Sequence, residues 1–183
     1  MGYFNANISF METIHLLLAR HGETLENQRH VLQGHLPGTL SPLGIQQAEQ
    51  LAELLVEEPL DVIVCSDLAR SYDTANAVAV KHCLVPQSTS LLREMDWGVY
   101  TGETLEDVDW YHLPVGVESV EQLYQRAGQF IAYLRENYPG KRILAVGHGA
   151  FNRAIHVWVN GKPPFDMLEL PIMSNATVER FEI

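Results

Sequence analysis

The sequence has few cysteines, few basic residues and no long apolar run. Its two cysteines, Cys65 and Cys83, have neither zinc-site spacing nor that of a disulfide framework, and reduced thiols are typical of a cytoplasmic protein. Only 12 Lys and Arg residues stand against 23 Asp and Glu, which excludes the broad basic face of a nucleic-acid-binding protein. Because no run approaches the ~20 apolar residues of a membrane helix, no membrane partner is predicted either.

Linkers, internal repeats and low-complexity tracts are missing too. The 183 residues are therefore predicted to form a single domain over 1–183, since this length is sufficient for one hydrophobic core. The start, "MGYFNANISFMET", has neither the basic nor the apolar region of a signal peptide. Two interpretations stay open for the first residues: 1–12 form a flexible extension of the domain, or 1–10 result from an incorrectly assigned start ahead of Met11. No feature of the sequence predicts an oligomeric state.

The sequence does contain short apolar runs that alternate with segments of helical period. The runs at 13–19, 61–66 and 142–148 are continuous and rich in branched residues, which is typical of buried parallel strands. The C-terminal "ATVERFEI" alternates between apolar and polar residues and predicts a final strand at a sheet edge.

Four helices are predicted between these strands. Ser41 and Pro42 fit the N-cap and first position of one helix, and Ser119 with Gln122 forms a capping box that opens another. The inner face predicted for this second helix consists of Val120, Leu123, Tyr124, Ala127, Ile131 and Leu134. The other two helices are expected to begin near Asp67 and just after Gly149.

Strands that alternate with helices predict an α/β fold, here a three-layer α/β/α sandwich with a mostly parallel central sheet. The segment at about 97–117 has little periodicity and is rich in glycine and proline, so it is predicted to form a small cap loop on the main domain.

Polar residues follow each of the three apolar runs. Arg20 and His21 end the first run, Arg70 lies shortly after the second, and His148 ends the third. Ligands of open α/β sheets bind outside the carboxyl ends of the strands, and arginine forks match tetrahedral oxyanions. The pattern therefore predicts a binding site for a phosphoryl group.

Five segments carry a specific resemblance. In order, "LLLARHGETLENQ", "VLQGHLPGTLSPLGIQQA", "VIVCSDLARSYDTA", "LLREMDWGVYTGET" and "ILAVGHGAFNRAI" resemble the successive motifs of the histidine phosphatase superfamily, the phosphoglycerate mutase-like group. The resemblance covers residues 13–160 and is to the phosphatase branch that includes broad-specificity and α-ribazole phosphatases. It implies an enzyme that hydrolyses small phosphomonoesters.

The resemblance also implies a role for individual residues. His21 is the expected nucleophile, which becomes phosphohistidine, and Glu94 is the expected proton donor. The residues expected to hold the phosphoryl group or face the substrate are Arg20, Arg70, His148, Asn27 and Gln33. Phosphoryl transfer needs mainly positioning and charge neutralisation, which fixed arginines provide, so no metal and no cofactor are predicted.

The remaining histidines show no metal-binding pattern. No His-x-x-x-His pattern with an acidic ligand set occurs on an evident helix, so the other six histidines are interpreted as structural or surface residues.

Two interpretations stay open for the aromatic residues after Glu94: anchors of a loop, or the lining of a pocket for the leaving group. These aromatic residues are Trp97, Tyr100, Trp110 and Tyr111.

Two alternatives to hydrolysis are a mutase and a non-catalytic phosphate-binding module. A mutase of this family resembles a longer chain with Arg-His-Tyr-Gly after the glutamate, where this sequence has "EMDWG", and a larger insertion before the second histidine. A non-catalytic phosphate-binding module is expected to have lost His21 or Glu94, and both are present. The sequence therefore favours a phosphatase, without naming its substrate.

Overall fold

The computed structural model describes residues 12–104 and 108–183. At its centre, a five-stranded sheet has the order β3-β2-β4-β1-β5. Strands β1 to β4 are parallel, and β5 runs antiparallel to β1 at one edge. The strands are β1 (His15–Arg20), β2 (Val62–Ser66), β3 (Gln87–Thr89), β4 (Arg142–Gly147) and β5 (Val178–Glu182).

Helices cover both faces of this sheet. The α-helices are α1 (Leu25–Gln28), α2 (Pro42–Leu54), α3 (Ala69–His82), α4 (Val120–Asn137) and α5 (Gly149–Val159). Short 3-10 turns lie at Ser90–Leu92, Gly98–Tyr100 and Pro164–Glu169. Within the described ranges, none of the helices is both long and apolar enough to cross a bilayer.

Two apolar clusters separate the layers and confirm the predicted three-layer sandwich. On one face, α2 and α3 pack on the sheet through residues such as Leu51 and Val78. On the other face, α4 and α5 pack on it through residues such as Leu123 and Ile155. The strands between them are buried on both sides, which is why their sequences are continuous apolar runs.

The predicted helix starts are confirmed by the caps. The Ser41 hydroxyl accepts a hydrogen bond from Gly44 N at 3.0 Å, with Pro42 at the first helical position. Ser119 and Gln122 form the expected capping box at the start of α4. Helix α3 begins at Ala69, two residues after the position predicted, because the chain is still extended at Leu68.

The predicted inner face of α4 needs one correction. Tyr124 is only half-buried, whereas Phe130, which was not predicted, is completely buried. Phe130 packs edge-on against Phe151, with ring centroids 6.4 Å apart, because α4 contacts α5 as well as the sheet. The buried stripe of α4 is therefore rotated toward α5 relative to the predicted one.

The segments that were predicted to be irregular show few regular elements. Between residues 97 and 117, the described part contains the 3-10 turn Gly98–Tyr100, and Trp97 and Val117 are buried against the α4–α5 side. Strand β3 was missed, since it has only three residues and its first two side chains are exposed. Of the proposed 1–12 extension, residues 1–11 lie outside the described ranges.

Candidate active site

The carboxyl ends of β1, β2 and β4 bring the predicted residues to one cavity. Arg20 is the last residue of β1, Arg70 is the second residue of α3, and His148 lies between β4 and α5. The cavity has a volume of about 560 Å³. Of the seven residues predicted for the site, six line it: Arg20, His21, Asn27, Gln33, Arg70 and Glu94. His148 lies beneath this lining, with its ring centroid 5.1 Å from that of His21.

The imidazole of His21 is buried and held in one orientation. Its Nδ1 lies 2.7 Å from the carbonyl oxygen of Gly22. Because a carbonyl only accepts, Nδ1 carries the proton and the lone pair is on Nε2. Burial, reinforced by the positive charges of Arg70 and Arg20, lowers the pKa of His21 well below 6.5. His21 is therefore a neutral imidazole with one nitrogen available as a nucleophile.

His148 is completely buried next to His21. Neither ring nitrogen has a hydrogen-bond partner within the described residues, and burial, followed by the charge of Arg70, lowers its pKa well below 6.5. Its backbone N donates to Asn152 Oδ1 at 3.2 Å, while Asn152 Nδ2 donates to the carbonyl of Ala19 at 3.0 Å. Asn152, which sequence reasoning missed, thereby joins the end of β1 to the start of α5.

Both arginines of the site are fixed by backbone carbonyls. Arg20 Nη1 donates to the carbonyl of Met173 at 2.7 Å. Arg70 donates to the carbonyls of Gly34 at 3.0 Å and Pro37 at 3.2 Å, and also to Leu36. Burial lowers the pKa of Arg70 to about 10, so its guanidinium remains charged near neutral pH. Neutral acceptors thus orient both cations without cancelling their charge.

The glycine of the Arg-His-Gly motif has a packing role. A Cβ on Gly22 would overlap the carbonyl oxygen of Gly44, and a Cβ on Gly44 would overlap that of Glu23. The two glycines therefore allow the loop after β1 to lie directly on the first turn of α2. Gly22 N also donates to Thr74 Oγ1 at 3.0 Å, which ties the same loop to α3.

The carboxylate of Glu94 sits against the first turn of α5. Its Oε1 accepts from Met95 N at 2.9 Å and from Phe151 N at 3.1 Å, and its Oε2 accepts from Ala150 N at 3.2 Å. This helix has no side-chain cap of its own, so Glu94 satisfies backbone donors that would otherwise be free. These contacts hold one carboxyl oxygen tightly and leave Oε2 with a single, longer hydrogen bond.

Asn27 and Gln33 occupy the wall opposite α5. Asn27 Oδ1 accepts from Thr24 N at 3.1 Å as part of a capping box for α1, so its amide nitrogen is the group left for the cavity. Gln33 Nε2 donates to Thr24 Oγ1 at 2.9 Å, and its Oε1 is buried without a partner in the described part of the chain. Both side chains are thus anchored on Thr24.

With this geometry in place, comparisons with known proteins decide the family. The model of the histidine phosphatase superfamily (branch 1) matches residues 16–183, which is nearly the whole chain. The chain belongs to the histidine phosphatase superfamily. The resemblance on which the expected site was based is therefore confirmed at the level of the family.

Several members of this superfamily are close in sequence and in structure. An acid phosphatase from Mycobacterium tuberculosis is 37% identical over 76% of this chain and 72% of its own length. The adenosylcobalamin/alpha-ribazole phosphatase of Escherichia coli is 36% identical over 73% of this chain and 72% of its own. The structure of a mycobacterial glucosyl-3-phosphoglycerate phosphatase complexed with VO3 has a TM-score of 0.82 at 29% identity, covering 91% and 90%.

A partly buried ion pair that sequence reasoning missed supports the backbone around Glu94 in this histidine phosphatase. Arg126 of α4 donates to both carboxyl oxygens of Glu118 at 2.8 and 2.7 Å. It also donates to the carbonyls of Leu91, Arg93 and Glu94 at 3.0, 2.7 and 3.2 Å. The sequence signal for this role was Arg126 itself, a charged residue next to Ala127 on the apolar stripe of α4.

The cavity has two chemically different ends. The end formed by Arg20, His21 and Arg70, with His148 packed behind His21, is here called the histidine end. The other, called the aromatic end, is formed by Trp97, Val108, Trp110, Arg153 and Ile172.

Some of the aromatic side chains pack in the core, and Trp97 and Trp110 also line the cavity. Trp97 is buried in the core cluster and also lines the cavity, with its ring centroid 5.5 Å from that of Trp110. Tyr100 packs against the same cluster, whereas Tyr111 is largely exposed and stacks on Phe165 at 5.0 Å.

Within residues 12–104 and 108–183, no three His, Cys, Asp or Glu side chains are close enough together to hold a metal ion. Three arginines, Arg20, Arg70 and Arg153, line the cavity. Arg153 was not among the residues that the sequence pattern predicted.

Proposed function

We propose that the protein is a phosphatase that hydrolyses small phosphomonoesters through a phosphohistidine at His21. The observation that carries this proposal is the buried His21 ring, which is oriented by the Gly22 carbonyl and lines the same cavity as Arg20 and Arg70. Phosphatases among the relatives support the same reaction.

In the first step, Nε2 of His21 attacks phosphorus and the bond from phosphorus to the ester oxygen breaks. Arg20 and Arg70 neutralise the equatorial oxygens, and the neutral His148 ring donates a hydrogen bond to one of them. Glu94 Oε2 gives its proton to the departing alkoxide, which is otherwise a poor leaving group near neutral pH. The products are an alcohol and phosphohistidine.

In the second step, water attacks the phosphorus of phosphohistidine. Glu94, now ionised, takes a proton from this water while the bond from phosphorus to Nε2 breaks. Inorganic phosphate leaves, and His21 and Glu94 return to their starting protonation states. The amide groups of Asn27 and Gln33 are assigned to the phosphoryl oxygens and to the substrate, respectively.

The arginines supply the positive charge for both steps, so we propose that the enzyme needs neither a metal ion nor another cofactor. A relative from Arabidopsis thaliana, 32% identical over 80% of this chain, is named a metal-independent phosphoserine phosphatase. The expected partner is a small-molecule phosphomonoester, with no nucleic acid and no membrane, and the reduced cysteines support a cytoplasmic location.

Hydrolysis is favoured over mutase activity by the names of the relatives and by the short stretch of chain between Glu94 and His148, which lacks the larger insertion of the mutases. Named phosphatases predominate among the similar proteins, although one relative is a phosphoglycerate mutase-like protein. A non-catalytic module is disfavoured, since an inert scaffold does not need a neutral, oriented His21 next to Glu94.

The decisive test is a screen of phosphomonoesters with and without EDTA. Hydrolysis of alkyl and aryl monoesters is expected to continue after exhaustive chelation, while phosphodiesters are not cleaved. Loss of activity with EDTA and rescue by one divalent ion would contradict metal independence, and phosphate transfer faster than hydrolysis would establish a mutase.

A further inference from the structure

Arg153 brings a third positive charge to the cavity, at the aromatic end. Arg153 is only 8% exposed, yet its Nε has no hydrogen-bond partner within the described residues. Its one protein acceptor there is the carbonyl of Leu170, at the long distance of 3.4 Å from Nη1. The guanidinium lies 5.7 Å from the ring centroid of Trp110. Most of its five N–H donors are therefore unused.

No ion pair compensates this charge in the part of the chain that the structure describes. Within residues 12–104 and 108–183, no carboxylate oxygen lies within 4.0 Å of an Arg153 nitrogen, and carboxylates such as Asp67 and Glu118 pair with other arginines. Burial lowers the pKa of Arg153, while the nearby negative charge of Glu94 opposes that change. A buried and largely unpaired guanidinium is costly unless a ligand neutralises it.

The place of Arg153 along α5 relates it to the reacting bond. Gly149 and Ala150 line the cavity beside Arg20, and Arg153 follows on the same side, one helical turn later. Glu94 is docked on the backbone of Ala150. An ester whose phosphoryl group lies at Arg20 and whose bridging oxygen lies at Glu94 therefore extends its alcohol portion toward Arg153.

We propose that Arg153, backed by Trp110, binds a carboxylate on the leaving alcohol, so that the preferred substrates are phosphomonoesters of small hydroxy acids. A single guanidinium matches the one charge and two oxygens of a carboxylate. A second phosphate group carries more charge, about −1.5 to −2, than this one arginine neutralises. This assignment rests on the proposed phosphatase activity and names its substrate class.

The test compares two esters of the same three-carbon skeleton. 3-Phosphoglycerate and glycerol 3-phosphate differ in whether the far carbon is a carboxylate or a hydroxymethyl group, and both are primary alkyl phosphates. The wild type is expected to show a kcat/KM for 3-phosphoglycerate at least about 10-fold above that for glycerol 3-phosphate, the usual value of a charged hydrogen bond.

The variant Arg153→Gln is expected to lose this preference. Its kcat/KM for 3-phosphoglycerate should fall about 10–100-fold, while that for glycerol 3-phosphate changes less than about 3-fold, because only the carboxylate contact is removed. Arg153→Lys should recover part of the loss. Arg135→Gln is the matched control. The Arg135 guanidinium also lies over an indole ring, 5.8 Å from the ring centroid of Trp158, but Arg135 does not line the cavity.

Each outcome separates this proposal from the proposed phosphatase function. Equal losses on both esters in Arg153→Gln would overturn the carboxylate subsite and assign Arg153 to the fold or to the phosphoryl group. Equal wild-type rates on both esters, or no loss in the variant, would also overturn it while leaving the phosphatase intact. If the wild type hydrolysed no monoester of the panel, the phosphatase itself would be wrong.

Discussion

The two ends of the cavity differ in how they are built. The histidine end stands on strand ends and on the first turn of α3. Backbone carbonyls of Gly22, Gly34 and Met173 orient its imidazole and its two guanidinium groups. The aromatic end is built largely from irregular segments that pack on α5, and its exposed members include Ile172, at 55%. The sheet thus fixes the position of the histidine end, whereas side-chain packing holds the aromatic end in place.

Under the proposed mechanism, the histidine end carries out the chemistry and the aromatic end determines the selectivity. A phosphoryl group is the same in every phosphomonoester, so the residues that transfer it gain from rigid backbone supports. The alcohol varies between substrates, and a loop-built surface can change without disturbing the sheet. Variants at the two ends are therefore expected to affect different kinetic quantities.

The largest effect is expected at the histidine end, from His21→Ala. Removal of the nucleophile should lower kcat by at least about 10³-fold on alkyl and aryl esters alike, because no other group can form the phosphoenzyme. Steady-state hydrolysis is the measurement, and His82→Ala, on α3 and remote from the cavity, is the control. A His21→Ala enzyme with most of its activity would refute the covalent mechanism.

The next effect is expected where the two ends meet, at Glu94. In Glu94→Gln, turnover of an alkyl phosphate should fall about 10²–10⁴-fold, since the alkoxide no longer receives a proton. p-Nitrophenyl phosphate has a stabilised leaving group, so it should still phosphorylate His21 quickly in a burst that is followed by slow turnover. If both esters lost activity equally and no burst appeared, Glu94 would only shape the pocket.

A smaller effect is expected from the support behind Glu94. Arg126→Met removes the donors to the carbonyls of Arg93 and Glu94 and leaves Glu118 without its cation. The pair is only partly buried, so its loss is expected to cost about 1–3 kcal/mol of unfolding free energy, between the values for exposed and buried pairs, measured by denaturant titration. We expect kcat on alkyl esters to fall more than kcat on aryl esters, since proton delivery is what becomes misaligned.

Arg126→Lys and Glu118→Gln test the same prediction in variants that are expected to lose less unfolding free energy than Arg126→Met. The lysine should restore part of the alkyl-ester activity, because it can still donate to one carbonyl. A uniform decrease on alkyl and aryl esters, proportional to lost folded protein, would mean that Arg126 serves stability alone.

The smallest effect concerns pH. Burial lowers the pKa of His21 and His148 well below 6.5, so the unfolded chain binds more protons than the folded one once the pH falls below about 6.5. Stability is therefore present above that pH and decreases below it, by up to about 1.4 kcal/mol per pH unit for each histidine. His148→Gln should reduce this slope in denaturant titrations at pH about 5.5–6.5.

The exposed His30 provides the matched control for this slope. His30→Gln should keep the wild-type dependence of unfolding free energy on pH. An unchanged slope in His148→Gln would show that protonation of that ring does not oppose folding.

The contrast between the two ends also explains how far the sequence could predict this molecule. The layers, the helix caps and the meeting of Arg20, Arg70 and His148 follow from periodicity and from the rule that parallel strands end together. The residues missed were Asn152, Arg126 and Arg153, which lie within helices as single polar groups. A polar residue on a helix takes its role from its tertiary neighbours, and no local pattern records those.

The same reasoning applies to glycine. Gly22 was recognised as part of a motif, but its close packing on Gly44 could be seen only once α2 was placed over the loop after β1. The short β3 and the 3-10 turns were missed because too few residues repeat in them to establish a period.

The most direct test of the proposed mechanism is to trap the phosphoenzyme. Glu94→Gln is mixed with p-nitrophenyl phosphate, quenched with alkali within the burst, because phosphohistidine is labile to acid, and analysed by mass spectrometry for the site of phosphorylation. We predict that the phosphoryl group is found on His21, at close to one per chain. A burst without phosphate on His21, or phosphate on another residue, would contradict catalysis through a phosphohistidine at the end of β1.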